Sequence, residues 1–247
     1  MRAPPAPAAA WEVEGWLTGA QAARLRAAAA RVRSGTVVEI GSFRGRSTIV
    51  LALAAAPGVE LVAIDPHAGS DRGPQEIGAD RARGEADHAA FTANLAAAGV
   101  AGRVRHVRRE SAAALDAVAG PVALLYVDGA HRFGPARADL AGWGARVPAG
   151  GRMLVHDAFS SVGVTGALLA ECVAARSWRY LGRTGSLAEY ERAPAALRGA
   201  AWGRNAVRQL AELPWFARNL AIKALVVAGL TRLAHRLGLP CEARWPY

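Results

Sequence analysis

The decapeptide LLYVDGAHRF, Leu124–Phe133, sets a carboxylate, Asp128, and an imidazole, His131, directly after an apolar run. A carboxylate and an imidazole three residues apart can address one small molecule, the first as a fixed charge and the second as a proton carrier. The run before them lacks the alternation of a half-exposed strand. It reads as a strand covered on both faces, as inside a parallel sheet. In open α/β sheets ligands bind beyond the carboxyl ends of the strands, which places Asp128 and His131 at the ligand edge. A plainer reading is equally open from these residues alone: Asp128 and Gly129 make a turn, and His131 caps the next helix.

A second stretch, EIGSFRGRST, follows another apolar run and holds Gly41 and Gly45 in a loop leading into a helix. Backbone amides and the positive helix end can face a ligand closely in such a loop. The three-glycine pattern of a dinucleotide site is missing. Glu39 at the loop entrance would repel a pyrophosphate and attract an ammonium or sulfonium group. A third run, LVAIDPHAG, ends on Asp65, an acid able to accept hydrogen bonds from both hydroxyls of a ribose. Asp-Pro turns also occur for purely structural reasons. Glu110 and Ser111 close a further run and suit the edge of an adenine, although Ser111 could equally cap a helix.

These residues need a sheet to carry them, and helical and strand patterns alternate from about Thr18 to Arg192. Thr18 and Gln21 form a capping-box pattern opening a helix through Arg33. Strands are expected at TVVEI, VELVAI, RVRHV, VALLYV and GRMLVH, with helices starting near Arg46, Ala86, Ser111, Pro135 and Val164. WRYLGRTGSLAEYER then reads as a closing hairpin around Thr184 and Gly185. The expected organisation is a flexible arm over 1–17, an α/β domain over 18–192 and a helical extension over 193–247.

Composition narrows the class. The chain has 247 residues and a formal charge of +10, yet lysine occurs once, at Lys223, so the arginine excess reads as the bias of a GC-rich genome. No basic stretch interleaved with aromatics marks a nucleic-acid platform, and no nucleic acid is expected as partner. Cys172 and Cys241 stand too far apart for a zinc or redox motif, which suits a reducing cytosol. The amino terminus MRAPPAPAAAW lacks the apolar core of a signal peptide. A cytoplasmic protein is expected.

Between about Trp16 and Arg192 the sequence resembles the class I S-adenosylmethionine (SAM) dependent methyltransferases. VVEIGSFRGRST is similar to their first motif, VAIDPH to the acid after the second strand, and LLYVDGAH with GGRMLVHD to the fourth and fifth motifs. Within that superfamily it is most similar to small-molecule O-methyltransferases that tailor macrolide sugars and antibiotics. The resemblance implies a Rossmann-like α/β fold with a seven-stranded, mostly parallel sheet, helices on both faces and the last strand antiparallel. It implies SAM as cofactor, with Glu39 and Gly41 near its methionine part, Asp65 near its ribose, and Ser42, Gly45, Ser47, Glu110, Ser111 and Asp128 completing the pocket.

The same resemblance implies a divalent cation, Mg or Mn, bound by Asp128, His156 and Asp157, with His131 as general base. A cation lowers the pKa of a coordinated hydroxyl, and a neutral imidazole takes its proton. His156 departs from the oxygen ligand usual at its position and favours a softer metal, unless it is a spectator or an alternative base. The expected reaction is methylation of a hydroxyl on a small-molecule acceptor such as a sugar or polyketide. The alternatives are a nicotinamide oxidoreductase and a non-catalytic SAM-fold binding protein.

Three segments remain. Arg72 to Asp87 and DAFSSVGV could cover an acceptor or be plain surface loops. Arg103, Arg105, His106, Arg108 and Arg109 could meet an anionic acceptor or form a solvated face. The extension from Ala193 carries eight Arg or Lys residues against Glu212 and Glu242. Its stretch LPWFARNLAIKALVVAGLTRLAHRLG is interrupted by charge, a poor spanning helix and a fair interfacial one. It serves either peripheral contact with the inner face of the membrane or packing on the core or a second subunit.

Overall fold

TVVEI becomes β1, Thr36–Ile40, with all five residues buried. Burial on both faces removes the period-two pattern, and the surrounding order explains it. In the computed structural model, which describes residues 8–70 and 78–236, β1 is central in a seven-stranded sheet. The remaining strands are β2 (Glu60–Ile64), β3 (Val104–Val107), β4 (Val122–Val127), β5 (Arg152–Val155), β6 (Trp178–Thr184) and β7 (Leu187–Arg192). Their order is β3-β2-β1-β4-β5-β7-β6. β7 alone runs antiparallel to its neighbours, paired with β5 and with β6. Gly185 and Ser186 close the β6–β7 hairpin where the sequence puts a turn.

The helices are α1 (Ala8–Trp11), α2 (Gly19–Ala29), α3 (Arg46–Ala54), α4 (Arg81–Ala97), α5 (Phe133–Gly142), α6 (Val162–Leu168), α7 (Gly199–Leu210), α8 (Leu213–Val227) and α9 (Thr231–Arg236). Two apolar clusters sandwich the sheet. Val37, Leu61, Leu124, Tyr126 and Leu154 pack against α2, α3 and the Phe91 side of α4. Val38, Ile40, Val62, Leu125 and Met153 face Leu140, Trp143, Leu168 and Tyr190. Successive residues of one strand feed opposite clusters, as a doubly covered sheet requires.

Several local expectations shift. The helix expected near Ala86 begins at Arg81, because Asp80 caps it by accepting from Arg83 N at 2.8 Å. Ser111 opens only short 3₁₀ turns, Ser111–Ala113 and Leu115–Ala117. Its hydroxyl is spent on Asp139 Oδ1 at 2.5 Å rather than on a cap. The capping box of α2 is complete, with Thr18 and Gln21 bonded reciprocally.

The arm expected over 1–17 packs where it is described. Ala10, Val13 and Leu17 are buried, and Arg46 donates to the carbonyls of Val13, Gly15 and Leu17 at 2.8, 2.5 and 3.2 Å. One guanidinium thus fastens the segment that precedes α2 to the start of α3. The first half of the Arg72 to Asp87 insertion, through Ile77, lies outside the described residues, as do Met1 to Pro7 and Cys241. Its second half enters α4, where Asp87 is buried and accepts from Arg44 at 2.9 Å. DAFSSVGV is no solvated loop, since Asp157 to Ser160 are all buried.

Arg103 near β3 is half-buried, whereas Arg105, Arg108 and Arg109 lie on the exposed surface in ion pairs. Arg103 donates to the carbonyls of Ala55 and Ala56 at 2.9 and 3.1 Å. Arg105, Arg108 and Arg109 pair with Glu60, Glu85 and Asp116. Among the described residues no helix is long and apolar enough to cross a membrane.

Candidate active site

The strand order reverses between β1 and β4, and at such a switch point the loops leaving the two strands diverge and open a crevice. A cleft lies there, lined by the Gly41 loop, Asp65 and His67 after β2, the Asp128–Arg132 turn after β4, and His156 and Asp157 after β5. The segment Glu14 to Leu17 forms a further wall, with Trp16 exposed beside Phe43, the ring centres 5.1 Å apart. The cleft thus gathers Gly41, Ser42, Ser47, Asp65, Glu110, Asp128, His131, His156 and Asp157 of the expected site residues. Glu39, Gly45 and Ser111 are outside its lining.

Gly41 is required by the protein itself. Its φ is +81°, and a Cβ there would come within 2.0 Å of the Asp128 carbonyl oxygen. The ends of β1 and β4 touch at this point, and only glycine permits the approach. Gly45 precedes α3 in a left-handed conformation and packs toward Phe91. It shapes the loop without facing the cleft.

Asp65 organises that loop. Its Oδ2 accepts from the backbone N–H groups of Ser42 and Phe43 at 2.9 and 2.8 Å, and its Oδ1 accepts from His67 N at 2.7 Å. A carboxylate has about four acceptor positions, so three are engaged here. About one acceptor position of this carboxylate remains for a ligand in the cleft. His67, which the sequence reading passed over, holds the same peptide from its other side, with Nε2 2.8 Å from the Phe43 carbonyl. A carbonyl only accepts, so Nε2 is the protonated nitrogen.

Glu39 lies beneath the cleft, fully buried. Thr48 Oγ1 donates to its Oε2 at 2.5 Å, and Oε1 has no hydrogen-bond partner. Burial raises its pKa to about 7, partly offset by the hydroxyls of Ser47, Thr48 and Ser42. A buried carboxylate with an unpaired oxygen fits a positively charged group brought close to it.

At the opposite wall two acids and two imidazoles converge. His131 Nε2 is 2.7 Å from Asp157 Oδ2. His156 Nδ1 is 3.2 Å from Asp128 Oδ1 and 3.4 Å from Asp157 Oδ2. Asp157 has a left-handed backbone, φ +54°, and it and the preceding His156 both line the cleft. Tyr126, missed by the sequence reading because it lies inside the apolar run, donates its hydroxyl to Asp128 Oδ2 at 2.9 Å. Gly163 lets α6 approach this turn, since a Cβ there would meet the His131 carbonyl at 2.1 Å.

Asp128, His131 and Asp157 form a cluster whose ligand atoms all lie within 4.8 Å of one another. Its donors, two carboxylates and an imidazole, fit a divalent cation. Neither ring nitrogen of buried His156 makes a well-directed hydrogen bond. Burial alone would lower the His156 pKa, but Asp128 and Asp157 outweigh it and push it well up. His131 is raised by the same balance, burial opposed by the Asp157 carboxylate. For Asp157, burial works upward and the two imidazoles hold the carboxyl below its ordinary range.

Residues 38–158 match a family described as a methyltransferase domain. No curated protein matches the chain. The solved O-methyltransferase TomG from Streptomyces achromogenes, involved in tomaymycin synthesis and crystallised with SAM, is 21% identical, with a TM-score of 0.54 over 71% of this chain and 81% of that one. The O-methyltransferase NovP is 16% identical, with a TM-score of 0.54 over 70% and 79% of the two chains. An O-methyltransferase from Bacillus cereus, crystallised with SAH, is 18% identical, with a TM-score of 0.53 over 74% and 86%. At these identities the likeness establishes the Rossmann-like fold.

Proposed function

We propose, from the premise that residues 38–158 are a methyltransferase domain, that the chain transfers the methyl group of SAM to a hydroxyl of a small-molecule acceptor. The observation that carries this reading is a single cleft at the strand-order reversal, with the Asp65 loop on one wall and the Asp128, His131, His156 and Asp157 cluster on the other. The match of residues 38–158 and the missing third glycine both stand against a nicotinamide oxidoreductase.

SAM supplies an electrophilic methyl group on a sulfonium. Asp65 receives its ribose, and the negative field of Glu39 beneath the cleft favours its cationic end. Asp128 and Asp157 would hold a divalent cation, whose charge would lower the pKa of the acceptor hydroxyl. His131 takes the hydroxyl proton. In the ion-free protein burial lowers the His131 pKa and the Asp157 and Asp128 carboxylates raise it further than burial lowers it; neutralising those acids favours the neutral, basic imidazole. His131 is then the group that accepts a proton at the moment the methyl is transferred.

The 2.7 Å contact between His131 and Asp157 favours one second reading. Without an ion, Asp157 holds Nε2–H and leaves Nδ1 to accept the proton, an acid-oriented imidazole of the kind used for general bases. Assay of the purified protein with SAM and hydroxylated sugar or polyketide acceptors, with and without EDTA, decides between the two. Loss of methylation on chelation, restored by Mg or Mn, supports the cation. Unchanged activity leaves the paired imidazole, and binding of NAD in preference to SAM removes both.

A further inference from the structure

We propose that the outer face of α8 and α9 seats this protein on an anionic membrane surface. The inference is independent of the methyl-transfer reading, because it rests on residues outside the cleft.

The inner side of α8 is fastened to the domain. Ile222 is buried, Trp215 and Phe216 pack on the core, and Asn219 Nδ2 donates to the Phe159 carbonyl at 3.2 Å. Arg183 lies over the Trp215 ring at 3.8 Å. Glu212, the sole carboxylate between Ala193 and Arg236, is consumed by Arg183 Nε at 2.7 Å and the Tyr180 hydroxyl at 2.8 Å.

The outer side has the opposite character. Ala217, Ala221, Ala224 and Ala228 recur at helical spacing and are all exposed. Val227, Leu230 and Leu233 follow them, 81%, 47% and 43% exposed. Arg218, Lys223, Arg232 and Arg236 are exposed on the same two helices, and none has a carboxylate partner among the described residues. An apolar face bordered by unneutralised cations, on helices too short to cross a bilayer, is the composition of a helix lying in a lipid interface.

Charge selects the occupant. A second copy of this face would set four cations against four with no acid between them, which like-charge repulsion opposes. A nucleic acid would meet aliphatic groups and no exposed ring, since Trp215 and Phe216 turn inward. An anionic lipid surface satisfies the cations and covers the aliphatic side chains together. Phe159, whose carbonyl α8 holds, stands two residues from Asp157, so the proposed surface and the cleft share one turn.

Co-sedimentation of the full chain with vesicles tests the proposal. The protein should pellet with phosphatidylcholine vesicles containing phosphatidylglycerol, stay in solution with phosphatidylcholine alone, and be released by salt. Each basic residue near such a surface contributes about 1 kcal/mol, or roughly fivefold. Arg218→Gln with Lys223→Gln should therefore weaken binding about 30-fold. Val227→Asp with Leu230→Asp should abolish it while leaving the melting temperature and SAM affinity unchanged. Protein that remains soluble with anionic vesicles overturns the proposal, and so do those aspartate variants if they pellet like the parent. A dimer in sedimentation velocity that Val227→Asp dissociates assigns the face to a second copy instead.

Discussion

His131 Nε2 lies 2.7 Å from Asp157 Oδ2, although 26 positions separate them in the chain. β4 and β5 are neighbours in parallel register, so their carboxyl-end turns meet. The contact commits His131 to the acid cluster rather than to the cofactor wall. His131→Ala should lower kcat by about 100-fold or more while leaving SAM affinity nearly intact, the loss expected when general-base help is removed. Turnover together with calorimetric SAM titration reads both quantities. Full turnover in the variant removes His131 as base and turns attention to His156.

Asp128→Asn retains the shape of the side chain and removes its charge. The variant should lose affinity for Mg or Mn, because an amide oxygen is a weaker ligand than a carboxylate. Its SAM affinity should change little, since Asp65 and not Asp128 anchors the loop at the other wall. Metal titration by calorimetry, compared with the activity of chelated parent protein, makes the check. Equal metal affinity in parent and variant would place the ion elsewhere.

Asp65→Ala should act in two ways. It removes the acceptor for ribose hydroxyls, weakening SAM binding by on the order of 2 to 4 kcal/mol. It also leaves the Ser42, Phe43 and His67 amides without their acceptor, so the melting temperature should fall as well. Asp65→Asn restores part of the amide contacts but not the charge. An Asn variant that melts like the parent yet binds SAM weakly separates cofactor binding from loop stability; parent-like SAM binding in both variants contradicts the assignment.

The pattern-level features were legible because they are local. The Thr18 and Gln21 capping box, five strand cores and the Gly185 turn each depend on residues within a few positions. What escaped depends on distant partners. Ala10 ends a Pro/Ala-rich stretch and Val13 and Leu17 follow in WEVEGWL, without periodicity, where Arg46 binds the carbonyls of Val13, Gly15 and Leu17 some thirty residues earlier in the chain. The load on Asp65 comes from backbone amides, which leave no mark in residue types. His131 and His156 meet at Asp157 through turns that leave two different strands, and the left-handed backbone of Asp157 has no sequence signature in a non-glycine residue.

Glu39 offers the sharpest dependence on pH. Its pKa is raised from 4.5 to about 7 by complete burial. A group with a raised folded-state pKa contributes stability that is full below its unfolded pKa and is lost as pH rises through the folded value. The window is therefore pH 4.5 to 7, across which burying the charge comes to cost roughly 3 kcal/mol. Glu39→Gln removes this titration. Between pH 5 and pH 8 the SAM-free parent should lose stability relative to the variant by up to about 3 kcal/mol, read by denaturant unfolding of both proteins. A pH-independent difference would mean that Glu39 titrates normally. SAM supplies a cationic partner for the ionised form, so it should stabilise the parent more at pH 8 than the variant, and the variant should bind SAM more weakly there. If Glu39→Gln binds SAM as tightly as the parent at pH 8, the carboxylate serves the fold alone, and the positive end of SAM is received by another part of the cleft.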